Sequence, residues 1–252
     1  MAVTPFAIVE YLLLGLAVGF AGGLFGIGGG IIAIPALGLL GLTEQLSQGT
    51  SLIGQLPSAL FGFIQYRKRS TLDLAPALML GASAIPFAYL GGFIANHVSS
   101  PSLRRAFASF VVVIATFLVW RALRRVVAPG AARPFTWPFA VVIGALSGLF
   151  SGLFGIGGAV FSVPILTLLF GMTQVQAQGL GLAVVLPSVM ISIVAYVHAG
   201  SILWPIGIPL AVGSFSTVSL GVSVAHRLPE RVLRLAFCGV LYAAAIALWN
   251  RV

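Results

Sequence analysis

The chain has 252 residues, 60% of them apolar and 7% charged, with thirteen Lys and Arg against four Asp and Glu. Soluble domains carry about a quarter charged residues, so the composition excludes a soluble reading, and the strict alternation that marks an outer-membrane barrel is missing too. The net charge of +9 does not point to nucleic acid, because the basic residues gather at the ends of apolar runs and no base-reading or stacking motif accompanies them.

The first apolar run, about 6 to 41, starts without Lys or Arg and has no polar cleavage region, so it reads as a retained segment and not a signal peptide. As one helix it would rise over about 50 Å, against a hydrocarbon core of about 30 Å. Gly22 to Gly30 lie near its middle, where glycine permits non-helical backbone, and two short helices joined at a turn are predicted there. Pro35 then bends or terminates the second arm. Three further helices follow at about 46–66, 73–96 and 103–123. A linker at about 124–134 contains Pro129, Gly130 and Pro134, with Arg124, Arg125 and Arg133 placed to meet anionic lipid headgroups. The pattern then recurs as a long run at 135–171, interrupted at Gly152 to Gly158 and carrying Pro164, and helices at about 175–197, 203–226 and 232–250. The lone Cys238 excludes an intrachain disulfide and reads as a packing residue. His97, His198 and His226 fall near span ends without ligand spacing, so no metal or other cofactor is expected.

The two sets of segments are related. Gly23 to Pro35, GLFGIGGGIIAIP, returns as Gly152 to Pro164, GLFGIGGAVFSVP. At an offset near 130, Gln48-Gly49 matches Gln178-Gly179, Pro57-Ser58 matches Pro187-Ser188, Tyr66 matches Tyr196, and Arg104 matches Arg234. If each long run crosses once, the basic residues divide eight to five between the two faces. If each enters, turns at its glycines and returns, Arg67, Lys68, Arg69, Arg121, Arg124, Arg125, Arg133, Arg227, Arg231 and Arg234 share one face, leaving Arg104, Arg105 and Arg251 opposite. The positive-inside rule prefers the second arrangement, with both termini outside. The expected fold is therefore an all-α polytopic membrane protein of two inverted-topology repeats, 1–123 and 135–252. Each repeat is a broken, re-entrant helical hairpin plus three transmembrane helices, and a cytoplasmic linker at 124–134 joins the two.

Interrupted segments at matching positions of inverted halves belong to alternating-access carriers, because irregular backbone at membrane depth is tolerated only inside protein or beside a cavity. The alternative is that the glycines only let helices pack closely. Beginning after the turns, the second arms would aim unpaired N–H groups at the centre, an arrangement that favours anions. Gly26, Gly28, Gly29 and Gly30 form one candidate cradle, and Gly155, Gly157 and Gly158 the other. Polar stripes follow on the next helices: Gln48, Ser51, Gln55 and Ser58 in one half, Gln178, Gly181, Ser188 and Ser192 in the other, with Val185 interrupting the second. These side chains are expected to face inward, since in lipid they would lack partners. Glu10 and Glu44 are left as gates or interfacial residues. The glycine strings lack the strand, the Lys-Ser/Thr pair and the acidic partner of a nucleotide site.

The paired GLFGIGG(G/A) elements with their downstream prolines, the Gln-Gly pairs and the chain length resemble the sulfite exporter TauE/SafE family of membrane transporters. The resemblance carries over to Gly23, Phe25, Gly26, Gly28, Gly29 and Pro35, and to Gly152, Phe154, Gly155, Gly157, Gly158 and Pro164. It implies a multi-pass carrier of the bacterial inner (plasma) membrane, not an enzyme, exporting sulfite, a sulfonate such as sulfoacetate, or a related organic anion. The expected partners are the small anion and membrane lipids, with H+ or Na+ as coupling cation and a homo-oligomer both left open. The runner-up function is a non-transporting membrane accessory or assembly protein.

Overall fold

A computed structural model describes residues 5–69, 74–123 and 135–249. The linker 124–134, with its arginines and prolines, lies outside the described residues, as do Asp73 and Arg251. Among the described residues ten helices run in order: α1 (Pro5–Phe25), α2 (Gly30–Leu39), α3 (Glu44–Arg69), α4 (Leu74–His97), α5 (Ser100–Leu123), α6 (Trp137–Phe154), α7 (Ala159–Leu169), α8 (Gln174–His198), α9 (Trp204–Ala225) and α10 (Glu230–Trp249). Seven of these are long and apolar enough to cross a membrane: α1, α4, α5, α6, α8, α9 and α10. At 26 residues α3 has the length but not the apolarity, since it carries the Gln48 to Ser58 stripe and ends in Arg67, Lys68 and Arg69.

Both long runs break after their first phenylalanine-glycine pair, between α1 and α2 and between α6 and α7. Their first arms are not short: α1 has 21 residues and α6 has 18. Gly22 and Gly23 stay helical, and so does Gly152, because a different demand acts on these glycines. α1 lies along α9 so closely that a Cβ at Gly15, Gly19 or Gly23 would strike the carbonyls of Leu210, Ser214 or Val218. α6 lies along α4 in the same way, with Gly144, Gly148 and Gly152 against Leu80, Ala84 and Ala88. Small residues four apart allow such backbone approach, which is how helices associate where lipid removes the hydrophobic drive. The second arms are short, 10 and 11 residues, about 15 Å of rise and half the hydrocarbon thickness. Pro35 and Pro164 lie inside them and terminate neither.

Equivalent contacts recur in the two halves. The Phe25 ring packs on Phe237 at 5.6 Å, and its counterpart Phe154 packs on Phe107 at 5.3 Å. Each half therefore lends its first arm to the other half's last helix. Gln48, one turn into α3, meets Tyr196 near the end of α8, while Gln178, one turn into α8, meets Tyr66 near the end of α3. The two matching helices thus run antiparallel past each other. Large apolar side chains such as Leu78, Val113, Trp137, Leu220 and Ile246 are exposed on the outside, whereas Gln48, Ser51, Gln55, Gln178, Ser188 and Ser192 are buried. Only lipid makes that distribution favourable.

Candidate functional site

The two helix breaks are built alike. Gly26, Gly28 and Gly29 have φ of 65°, 75° and 87°, and Gly155, Gly157 and Gly158 have 65°, 79° and 78°. Side-chain-bearing residues rarely adopt this left-handed region. Ile27 and Ile156 are fully buried between the glycines and hold each turn in the core. The first helical bonds of α2 run from the Ile32 and Ala33 N–H groups to the Gly29 carbonyl, and those of α7 from Phe161 and Ser162 to the Gly158 carbonyl. The N–H groups just before them are the ones a helix start leaves without an intrahelical partner, and they carry its partial positive charge.

The turns meet at one pair of side chains. A Cβ at Gly28 would stand 3.1 Å from both Gln55 Oε1 and Val185 Cγ1, and one at Gly157 would stand 3.0 Å and 2.9 Å from the same two atoms. Gln55 and Val185 occupy equivalent places in the repeat, so the junction is geometrically symmetric and chemically unsymmetric. Gln55 Nε2 donates to the Gly155 carbonyl at 2.6 Å and to Ser51 Oγ at 3.1 Å. A carbonyl can face only the amide's N–H side, which fixes the amide orientation and turns Oε1 toward the glycines. That oxygen is buried and finds no protein partner, a state that costs about 1–3 kcal/mol.

The asymmetry explains a departure within the motif itself. A Cβ at Gly30 would stand 2.5 Å from Gln55 Nε2 and 2.8 Å from the Gly155 carbonyl. In the second half the shorter Val185 leaves that space free, and Ala159 fills it. A Cβ at Gly181, the repeat counterpart of Ser51, would stand 3.1 Å from the Ala159 methyl.

Two buried tyrosines clamp the outer ends of the stripes. The Tyr196 hydroxyl is shared between Gln48 Oε1 at 2.7 Å and the Gly152 carbonyl at 3.0 Å, and the Tyr66 hydroxyl between Gln178 Oε1 at 2.9 Å and the Gly23 carbonyl at 3.0 Å. Here too the halves differ in one respect. Gln48 Nε2 donates to Glu44 Oε1 at 3.3 Å, and the fully buried Glu44 pairs with Arg104 Nε at 3.3 Å. Gln174 stands at Glu44's place in the second half, and Gln178 Nε2 is left without a protein partner. Arg234, the counterpart of Arg104, pairs instead with Glu230 of its own helix.

Among the expected site residues, Gly26, Gly28, Gly30, Gly155 and Gly157 are brought together with Gln48, Ser51, Gln55 and Gln178. Gly29 and Gly158 are not: a Cβ there would run into Val18 and Ser147 of their own first arms. Ser58 donates to the Gly28 carbonyl at 2.9 Å, while its counterpart Ser188, and Ser192, are buried without a protein partner. Glu10 is exposed, and Cys238 is buried. His97 and His226 each turn Nδ1 to a carbonyl of their own helix. No group of three or more potential metal ligands occurs among the described residues. Tyr66, Tyr196, Val185 and Arg104 were not expected in the site, although the tyrosine match at offset 130 was a visible signal. A cavity of about 220 Å³ opens beside the starts of α4 and α6, lined by residues such as Pro76, Phe135 and Trp137, and none of the candidate residues lines it.

A bundle with apolar exterior, polar interior stripe and paired helix breaks defines a multi-pass membrane protein with an internal repeat. The chain matches the sulfite exporter TauE/SafE family over residues 11–248 and belongs to that family of membrane transporter proteins. It is 26% identical to the probable membrane transporter protein YunE of Bacillus subtilis, over 93% of this chain and 97% of that one. It is 28% identical to a probable membrane transporter protein of Haemophilus influenzae, over 93% and 95%. A probable membrane transporter protein of Methanocaldococcus jannaschii is 25% identical over 91% of each chain. No solved structure matches the chain.

Proposed function

We propose that this protein is a secondary transporter that moves a small anion, such as sulfite, sulfoacetate or a related organic anion, across the plasma membrane by alternating access. The carrying observation is the junction of two glycine turns, one from each half, at Gln55 and Val185, with a helix start on either side. Helix starts attract anions without a fixed Arg or Lys, and breaks at matching positions are where secondary transporters bind cargo. The turns touch through Gln55 and Val185, so cargo enters when they separate. The relatives' description as probable membrane transporters and the family's description as sulfite exporters point the same way. The driving gradient would be the anion's own or one of H+ or Na+.

The topology belongs to the same proposal: inverted halves, 1–123 and 135–252, with the linker cytoplasmic. The antiparallel course of α3 and α8 supports it. So does the 5.0 Å approach of the Tyr66 and His226 rings, which brings the end of α3, next to Arg67 and Lys68 in sequence, level with the end of α9, next to Arg227. The start of α3 lies at the other end, where Gln45 donates to the Val98 carbonyl and Glu44 meets Arg104.

Flux into proteoliposomes, measured for sulfite, sulfoacetate and small carboxylates, tests the transport reading, and saturable, protein-dependent movement of at least one anion is expected. Absence of flux for all of them, from protein shown to be inserted and folded, would leave the accessory-protein alternative. Labelling tests the topology. In a Cys238→Ala background, cysteines introduced at Lys68 and His226 should react from the same side of the membrane, and one at His97 from the other. Opposite sides for Lys68 and His226 would refute inversion.

A further inference from the structure

We infer that the anion carried here must itself bear a hydrogen-bond donor, an O–H, N–H or acidic proton, which it presents to Gln55 Oε1 while its apolar edge lies against Val185. The inference rests on the proposed anion site and narrows its cargo. Two helix starts would welcome any small anion, including one with acceptors only. Gln55 would not. Its amide orientation is fixed by the 2.6 Å bond from Nε2 to the Gly155 carbonyl, so the atom aimed between Gly28 and Gly157 is an acceptor, fully buried and without a protein partner. An anion whose exposed atoms are all acceptors meets that oxygen with repulsion and leaves it unsatisfied. A cargo carrying a donor satisfies it while its negative charge stays with the backbone N–H groups. On the facing side Val185 offers only methyl groups, which set nothing but the shape of the cargo's other edge. The two halves thus divide recognition: the paired turns read charge, and Gln55 alone reads the donor. A site with a buried polar group placed for one hydrogen bond rejects the analogue that cannot make it.

The test uses matched anions of equal charge, so attraction to the helix starts cancels. Binding of glycolate against acetate, and of 2-hydroxyethanesulfonate against ethanesulfonate, is measured on the purified full-length protein by calorimetry, beside flux in proteoliposomes. The hydroxylated member of each pair should bind about tenfold to a hundredfold more tightly. In Gln55→Met, which keeps the length and removes the acceptor, that ratio should fall toward one. Equal binding within both wild-type pairs overturns the inference and leaves anion transport standing. A ratio that survives in Gln55→Met also overturns it, because the donor is then read elsewhere. Sulfoacetate flux without binding of either pair overturns it as well, because that dianion carries no donor. Loss of all anion flux removes the transport proposal and this inference together. The wild-type ratio needs no variant, so a misfolded Gln55→Met leaves the test intact.

Discussion

Gly30 and Gln55 should behave as one unit, and a double-mutant cycle measures it. In Gly30→Ala the new methyl would stand 2.5 Å from Gln55 Nε2 and 2.8 Å from the Gly155 carbonyl, so the amide must swing away. The swing breaks a 2.6 Å bond, and the Gly155 carbonyl keeps only Ser51 Oγ at 3.4 Å. Forced overpacking costs about 1–3 kcal/mol, and a lost bond to a buried carbonyl costs a comparable amount. Helix propensity opposes this by favouring Ala over Gly by up to about 1 kcal/mol, leaving a net loss of about 1–5 kcal/mol. In a Gln55→Val background the space is open to a methyl group, as Val185 leaves it for Ala159, and the same Gly30→Ala change should be neutral or stabilising. The coupling between the sites is therefore at least about 1 kcal/mol, as expected of residues in contact. Unfolding of the purified protein in detergent, followed by intrinsic fluorescence, gives the four stabilities. Additive costs, with Gly30→Ala equally damaging in both backgrounds, would refute the account of why the first half carries Gly and the second Ala.

Tyr66→Phe and Tyr196→Phe should destabilise by comparable amounts in the same unfolding assay. Each orphans one buried glutamine Oε1, of Gln178 or of Gln48, at about 1–3 kcal/mol, because Glu44 partners only Gln48 Nε2; no loss in either variant would refute the clamps. Gly28→Ala should cost clearly more than Gly200→Ala: both have positive φ, but a Cβ at Gly200 meets nothing within 4 Å while one at Gly28 is crowded by Gln55 and Val185. Backbone strain alone is about 1–2 kcal/mol, so equal folded yields for the two would mean that the turns do not press together. Arg104→Leu takes the cationic partner from the fully buried Glu44 carboxylate and should cost about 3–5 kcal/mol, while Arg234→Leu, whose Glu230 partner is exposed, should cost under about 1 kcal/mol. Comparable thermal shifts for the two arginine variants would refute that distinction.

Much of the helix plan was legible because apolar length and charge placement mark spans directly. The runs at 73–96 and 103–123 correspond to α4 and α5 within a few residues, and the two broken runs are where the glycine strings placed them. What could not be read was the length of the first arms. A glycine inside an apolar run signals either a break or a close helix contact, and this chain uses both within four residues: Gly23 packs on α9, and Gly26 turns. The tyrosine clamps were hidden for a different reason. The repeat equates Tyr66 with Tyr196, yet their glutamine partners depend on α3 and α8 crossing antiparallel, a tertiary fact that spacing along one helix does not contain. Val185 read as a gap in the second polar stripe. Only its position opposite Gln55 gives the gap a meaning.

That gap bears on how two related halves can serve one cargo. In an alternating-access carrier with inverted halves, each state resembles the other with the halves exchanged, and matching contacts keep the two states close in energy. Identical halves would balance them best but would offer the cargo the same group from both sides. Here the turns, tyrosines and packing glycines repeat, while the chemistry departs from symmetry at Gln55 against Val185 with its neighbours Gly30 and Ala159, and at Glu44 against Gln174. Each departure is locally compensated: Gly30 makes room for the amide, Ala159 refills the space, and Arg104 neutralises the carboxylate. Under the proposed alternating-access function, compensation of this kind would confine the asymmetry to what the cargo senses and would leave the helix framework free to exchange. The consequence is checkable in one variant. Exchanging the halves' chemistry with Gly30→Ala, Gln55→Val, Ala159→Gly and Val185→Gln should return a folded protein, because the new amide at 185 would find the Gly26 carbonyl as Gln55 finds that of Gly155. If that variant is no more stable than one carrying Val185→Gln alone, the two junction halves are not equivalent, and the exchange argument fails with them.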